Sequence, residues 1–132
     1  MRQAAARQGD QIVALDTHIV NVQVGPVLVP MALPHPYNGI LNGALSSNVN
    51  IMKRPAATVD STTDNAPAHL PTLPGVSFLN PPTNLGKIVS GSTSVKINGK
   101  AAARNGDIAE TCNDPVDVPA GQVVCAGSVM IG

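Results

Sequence analysis

Aromatic side chains are nearly absent from this chain: its 132 residues include one Tyr, one Phe and no Trp. A core without them is built from Val, Ile, Leu and Ala, which bury little area per residue. Ordering a residue costs about 1.5 kcal/mol, against about 25 cal/mol per Å² of apolar surface buried, so such a chain sits near break-even without a staple. Charge is scarce too, with eight basic side chains against eight acidic ones and a formal net charge of zero. Nucleic acid needs a basic stripe that releases counterions, and an anionic membrane surface needs the same, so neither is an expected partner. No apolar run is long enough to span a bilayer, and no stable membrane insertion is expected. Met1-Arg2-Gln3-Ala4 is not followed by the apolar stretch of a secretory leader, which points to cytoplasmic synthesis. Cysteine is limited to Cys112 and Cys125. In a reducing cytosol a disulfide between them is not expected, and metal ligation is the better use of a thiol.

Glycine and proline are plentiful, at twelve each. They are poor material for long helices, and no window sustains apolar spacing at i, i+3 and i+4, whereas short Val/Ile runs alternate at period two. The expected class is all-β, a single domain over residues 1–132 made of short strands and long Pro/Gly-rich loops.

The chain also repeats itself. Ala4-Ala5-Ala6-Arg7-Gln8-Gly9-Asp10-Gln11-Ile12 recurs as Ala101-Ala102-Ala103-Arg104-Asn105-Gly106-Asp107-Ile108, with a weaker copy at Pro55-Ala56-Ala57-Thr58-Val59-Asp60. Short strands precede two copies at the same distance, Val49-Asn50-Ile51 and Val95-Lys96-Ile97. Between Ile97 and Lys100 stands Asn98-Gly99, the strongest short hairpin signal, because both turn residues take positive φ. Met52-Lys53 occupies that place in the middle copy. A left-handed Lys costs about 1–2 kcal/mol, so a different turn is expected there. The strand belonging to the first Ala-rich copy lies at the other end, where Gly127-Ser128-Val129-Met130-Ile131-Gly132 echoes residues 91–97. The chain thus reads as three hairpin repeats around a pseudo-three-fold axis, one formed by both termini, which closes a ring and pairs an exposed edge. Val and Ile of each strand should fill the axis, while Asn50, Lys96 and Met130 face the other way.

Between the repeats run connections, roughly Gly25 to Ser47, Asp60 to Lys87 and Ile108 to Gln122, read as loops. They carry His35, His69 and Cys112, while His18 follows the first Gly-Asp. These are all the histidines and one of the cysteines. Imidazole and thiolate are the donors Zn²⁺ prefers, and four protein donors make a closed structural site. The spacings match no zinc finger, so a whole fold must bring them together. Pro34 and Pro36 bracket His35, and Pro67 and Pro71 flank His69, which lowers the entropy lost on ordering a ligand. Asp16, two residues before His18, is placed to orient an imidazole as an outer carboxylate.

With these features the sequence resembles the PAAR-repeat family. The resemblance rests on Ala101-Ala102-Ala103-Arg104, Pro55-Ala56-Ala57, Val95 to Lys100, the closing Gly-Ser-Val-Met-Ile-Gly, and the segments Leu33 to Gly39 and Thr111 to Pro115. It implies a small cone of three β-hairpin faces with one zinc near its vertex, held by His18, His35, His69 and Cys112. It further implies that the base docks on the trimeric VgrG-like β-helical spike of a contractile injection machine: type VI secretion, an extracellular injection particle or a phage tail. Val49, Ile51, Val95, Ile97, Val129 and Ile131 are the residues placed at that base.

The function implied is mechanical: a metal-stabilised point, one per spike trimer, assembled in the bacterial cytoplasm and carried at the distal tip to pierce a target envelope. No catalytic residue is assigned, and no fused effector domain is expected after Gly132. A zinc hydrolase would need an open coordination position and a general base, for which Glu110 is the nearest candidate. An adaptor that binds effector cargo through the segment from Asp60 to Lys87 is the other alternative.

Overall fold

In the computed structural model, which describes residues 2–132, the protein is all-β, with no helix among the described residues. The strands run β1 (Gln3–Ala4), β2 (Gln11–Val24), β3 (Val27–Gly43), β4 (Asn50–Ile51), β5 (Arg54–Pro55), β6 (Thr62–Asn65) and β7 (Gly75–Phe78). They continue as β8 (Leu85–Ile88), β9 (Lys96–Ile97), β10 (Lys100–Ala101), β11 (Ile108–Thr111), β12 (Val118–Val124) and β13 (Met130–Ile131).

Three two-stranded pairs share one register: Ile51 with Arg54, Ile97 with Lys100, and Ile131 with Gln3. The last joins the two ends of the chain. Asn98 and Gly99 have φ of 53° and 81°. The turn at Met52 and Lys53 corrects the expectation above, because both residues are left-handed as well, with φ of 47° and 71°. The β4–β5 register leaves two residues to reverse the chain, and that geometry prevails over residue preference. In the middle copy Asp60 occupies the glycine position, at φ 79° beside 91° for Gly9 and 86° for Gly106. Ser61 accordingly takes the part of the aspartates: it accepts from the Thr58 N–H at 3.0 Å, as Asp10 accepts from Arg7 at 2.9 Å and Asp107 from Arg104 at 2.6 Å.

The Ala-rich segments meet in a cycle. The N–H of Ala6 donates to Ala103 O at 3.0 Å, that of Ala57 to Ala6 O at 3.0 Å, and that of Ala103 to Ala57 O at 3.1 Å. A second cycle surrounds it, from Gln8 to Pro55, Val59 to Ala101 and Asn105 to Ala4, at 2.8–2.9 Å. Three backbones approach this closely only where side chains are small, and Ala6, Ala57 and Ala103 are fully buried. On one side of the cycle Ile51, Ile97 and Ile131 pack with Ala5, Ala56 and Ala102. Asn50, Lys96 and Met130 face solvent, as the period-two pattern required.

On the other side six antiparallel strands close on themselves, in the order β2, β3, β6, β8, β11, β12 and back to β2. Ile12, Tyr37, Leu41, Ile88, Ala109 and Val123 fill the ring. Tyr37 is the bulky member, and its hydroxyl shares a 2.6 Å hydrogen bond with Thr63 Oγ1. Room for it comes from Gly39 and Gly86, where an added Cβ would lie 2.8 Å from the tyrosine ring and hydroxyl respectively.

The segments read as loops are largely strand. Residues 27–43 form β3, paired with β2 residue by residue from Gln11–Ile40 to Val24–Val27, and residues 62–65, 75–78, 85–88 and 118–124 are strands too. Prolines misled the reading because β3 accommodates them at one parity. The backbone of Asn38 points away from β2, since its carbonyl accepts from Ala66 N and its N–H donates to Asn65 Oδ1. Pro30, Pro34 and Pro36 share that parity, so no ladder bond to β2 is lost. Beyond the ring only the upper β2–β3 hairpin continues, with β7 along β2.

Candidate metal centre

The candidate ligands gather where the ring gives out. Asp16 and His18 lie on β2 with both side chains inward, and His35 on β3 pairs across from Asp16. Cys112 follows β11, and His69 lies between β6 and β7. All five side chains are buried. Placing His18 and His35 on strands corrects their reading as loop residues. The period-two geometry turns Asp16, His18 and Val20 to one side.

Asp16, His18, His69 and Cys112 each present a ligand atom within 4.8 Å of the other three. Asp16 Oδ2 is 2.8 Å from His69 Nε2 and 3.5 Å from Cys112 Sγ, and that sulfur is 3.6 Å from His18 Nε2. Tetrahedral zinc bonds of about 2.0–2.3 Å hold their donors at roughly these separations. This buried cluster could hold a metal ion. The donor chemistry fits: a thiolate and a carboxylate together neutralise a divalent cation, and two imidazoles complete a borderline-soft set. His18 Nδ1 is buried with no hydrogen-bond partner; Asp114 Oδ2, at 3.5 Å, stands nearby as a charge.

His35 is beside the cluster but engaged elsewhere. Its ring centroid lies 5.3 Å from that of His18 and 5.6 Å from that of His69. Nδ1 donates to Leu33 O at 2.9 Å, which leaves Nε2 as acceptor for the Thr72 N–H at 3.1 Å. Asp16, read as an outer carboxylate, stands inside the cluster. Besides His69 and Cys112 it accepts hydrogen bonds from Thr111 Oγ1 and, at 3.3 Å, from Asn113 Nδ2. Its inward parity, shared with His18, was the signal available in sequence for this place.

Burial governs the local proton affinities. It lowers the pKa of His18, aided by the neighbouring His69 imidazole, and it lowers that of His35. Burial, then the Asp16 charge, pushes the Cys112 thiol up to about 11. Neutral imidazoles are ready to ligate, whereas the thiol needs a cation to draw off its proton. Glu110 is not in the cluster. It borders a separate cavity of about 230 Å³ with Thr62, Leu85, Gly86, Lys87 and Asp117, so no general base from that position faces the candidate ligands.

The six residues assigned to the base occupy two environments. Ile51, Ile97 and Ile131 are core, at 6, 8 and 6% exposure, with Val49 and Val95 packed against them, whereas Val129 is 38% exposed. Cys125 and Cys112 are both free thiols. Cys125 packs against the ring core, where burial pushes its thiol up to about 12.

A fold of three Ala-centred thirds with a buried His/Cys/Asp cluster at one mouth of its strand ring suits a small structural module of the spike-tip class. The chain matches the PAAR motif over residues 25–116 and belongs to that family, whose members are spike-tip proteins of contractile injection systems. No curated protein matches the chain.

Proposed function

We propose that this protein is the metal-stabilised tip of a contractile injection machine, capping a trimeric VgrG-like spike with one tip per trimer and leading it through a target envelope. The observation that carries the reading is the cyclic bonding of Ala6, Ala57 and Ala103, which gives one chain a three-fold base. Such a base offers three near-equivalent docking surfaces to a three-fold partner. Its surface comprises Val129, Asn50, Lys96 and Met130, with Val49, Ile51, Val95, Ile97 and Ile131 behind them. Assembly takes place in the bacterial cytoplasm, and no catalysis is required of the tip.

The ion is zinc, one per chain. His18, His69 and Cys112 are its ligands, and His35 completes the set by exchanging the Thr72 N–H for the metal. The bond from His35 Nδ1 to Leu33 O supports this, because it fixes the tautomer whose Nε2 carries the lone pair. Asp16 stays as the carboxylate that accepts from its neighbours. Bound zinc would supply cross-links between β2, β3, the segment after β11 and the segment before β7.

Co-purification with the homotrimeric spike, weighed by native mass spectrometry, tests the capping. One chain per trimer is expected, and three chains per trimer would overturn it. Elemental analysis tests the site: one zinc per chain is expected, and protein without stoichiometric metal after gentle purification would sink it. Metal loss in Asp16→Asn with retention in His35→Asn would make Asp16 the fourth ligand instead.

A further inference from the structure

His18 would ligate zinc through Nε2, the ring nitrogen that stands 3.6 Å from Cys112 Sγ. Its proton then sits on Nδ1. A ligating imidazole ordinarily gives that second N–H to a carboxylate, a carbonyl or water, which fixes the ring and makes the other nitrogen a better donor. At His35 the partner is in place, since Nδ1 donates to Leu33 O at 2.9 Å. At His18 it is not, because Nδ1 is buried without a hydrogen bond. A buried N–H left unpaired costs free energy, so an acceptor is called for. Asp114 Oδ2 stands 3.5 Å away, on a side chain only 8% exposed.

The edge of β2 explains how that carboxylate comes to be there. On that edge β12 pairs as far as Val13 and β7 begins at Val20, so residues 14–19 have neither strand beside them. Asn113 and Asp114 occupy the gap. Thr17 N–H donates to Asn113 Oδ1 at 2.6 Å, Asp114 N–H to Thr17 O at 2.9 Å, and Ile19 N–H to Asp114 Oδ2 at 2.8 Å. These bonds bracket His18 along its strand and tie it to the residues that follow Cys112. One oxygen, Asp114 Oδ2, thus accepts from Ile19 and also faces the His18 ring. A buried carboxylate is stabilised by pairing and hydrogen bonding, so its charge and the free imidazole N–H answer each other.

We propose that Asp114 is a positioning carboxylate of the metal centre: it accepts the His18 Nδ1 proton, holds the ring with Nε2 toward the ion, and strengthens that nitrogen as a donor. The proposal rests on the zinc reading above and adds a residue to it. It gives Asp114 the outer place that the sequence offered to Asp16, which lies inside the cluster. Charge separates this role from that of a scaffold. An amide in the same position can still accept from Ile19, whereas a carboxylate also polarises the imidazole.

The test compares full-length wild type with Asp114→Asn and Asp114→Ala, by zinc titration against a competing chelator and by NMR of the isotope-labelled, zinc-loaded proteins. Asn keeps an oxygen for the Ile19 N–H and removes the charge; Ala removes both. Each variant is expected to bind one zinc with affinity about ten-fold or more below wild type. The His18 Nδ1 proton, downfield in wild type under a charged acceptor, should move upfield in Asp114→Asn. Should Asp114→Ala fail to fold, Asp114→Asn decides alone. A turn that merely holds Ile19 gives the opposite result: Asn restores wild-type affinity and leaves the proton resonance in place, which overturns the proposal. Ring nitrogen shifts that put the metal on His18 Nδ1 overturn it as well. The reading beneath it is separable. No zinc bound by wild type sinks the metal centre and this inference with it, whereas zinc bound equally by wild type and Asp114→Asn sinks the role of Asp114 alone.

Discussion

The half of the molecule around the Ala6–Ala57–Ala103 cycle and the half beyond the six-strand ring are built on opposite logics. In the first, every feature occurs three times: a two-residue strand pair, a small side chain on the axis, an acceptor that caps the next turn. In the second nothing is repeated. Asp16, His18, His35, His69 and Cys112 come from different places in their thirds, and only one hairpin is prolonged. Repetition gives the base a strength spread over many equivalent bonds. The distal half has no such redundancy and depends on a few buried polar groups.

Removing the metal should separate the halves most sharply. Chelation is expected to lower the melting temperature by 10 °C or more, a loss of about 3 kcal/mol or above. Hydrogen exchange should then rise in β2, β3 and the segment around His69 and stay slow at Ala6, Ala57 and Ala103. Uniform loss of protection across both halves would contradict the division. Cys112→Ser should reproduce the effect, and Cys125→Ser should keep full zinc, which metal analysis of the two variants decides.

Overpacking the axis comes next. Ala6→Val, Ala57→Val and Ala103→Val should each cost about 1–3 kcal/mol in denaturant unfolding. Agreement among the three tests the equivalence of the thirds, and one silent variant would break it.

Acidity should act on the distal half through its buried imidazoles. His18 and His35 are held below their ordinary pKa, so in the folded metal-free protein they bind protons less readily than in the unfolded chain. Their contribution is complete above about pH 6.5 and declines as pH falls from there through the lowered folded values. Melting of metal-free protein from pH 8 to 5 should follow that direction, and a flat profile would refute it. The smallest effect is a gain: replacing Met52-Lys53 with Asn-Gly should stabilise by about 1 kcal/mol, because two left-handed residues are relieved.

The two halves also differed in how far they could be read from sequence. The base was legible because its signals are local: Asn98-Gly99 marks a turn wherever it stands, and the echo of residues 91–97 at 127–132 pointed to the pairing that β1 and β13 make. The exceptions were one residue wide. Ser61 had to be recognised as an acceptor in place of an aspartate, and Asp60 as a stand-in for glycine. Farther out, Pro30, Pro34 and Pro36 looked like loop markers, and only the ladder's parity shows that a strand tolerates all three. His18, His35, His69 and Cys112 could be named as candidate ligands from their chemistry. The place of Asp16 inside their cluster depends on which face of a strand it occupies, and a reading that placed this segment in a loop had no face to assign.

The ring also explains why a three-fold object is made from one chain. A homotrimer delivers any residue near its axis in triplicate, so its central site holds three of each donor or six, never a lone thiolate among imidazoles. Covalent linkage of the thirds lifts that arithmetic. Each third is free to diverge, and a centre of unlike donors becomes possible at the end of an object whose other end still presents three-fold symmetry.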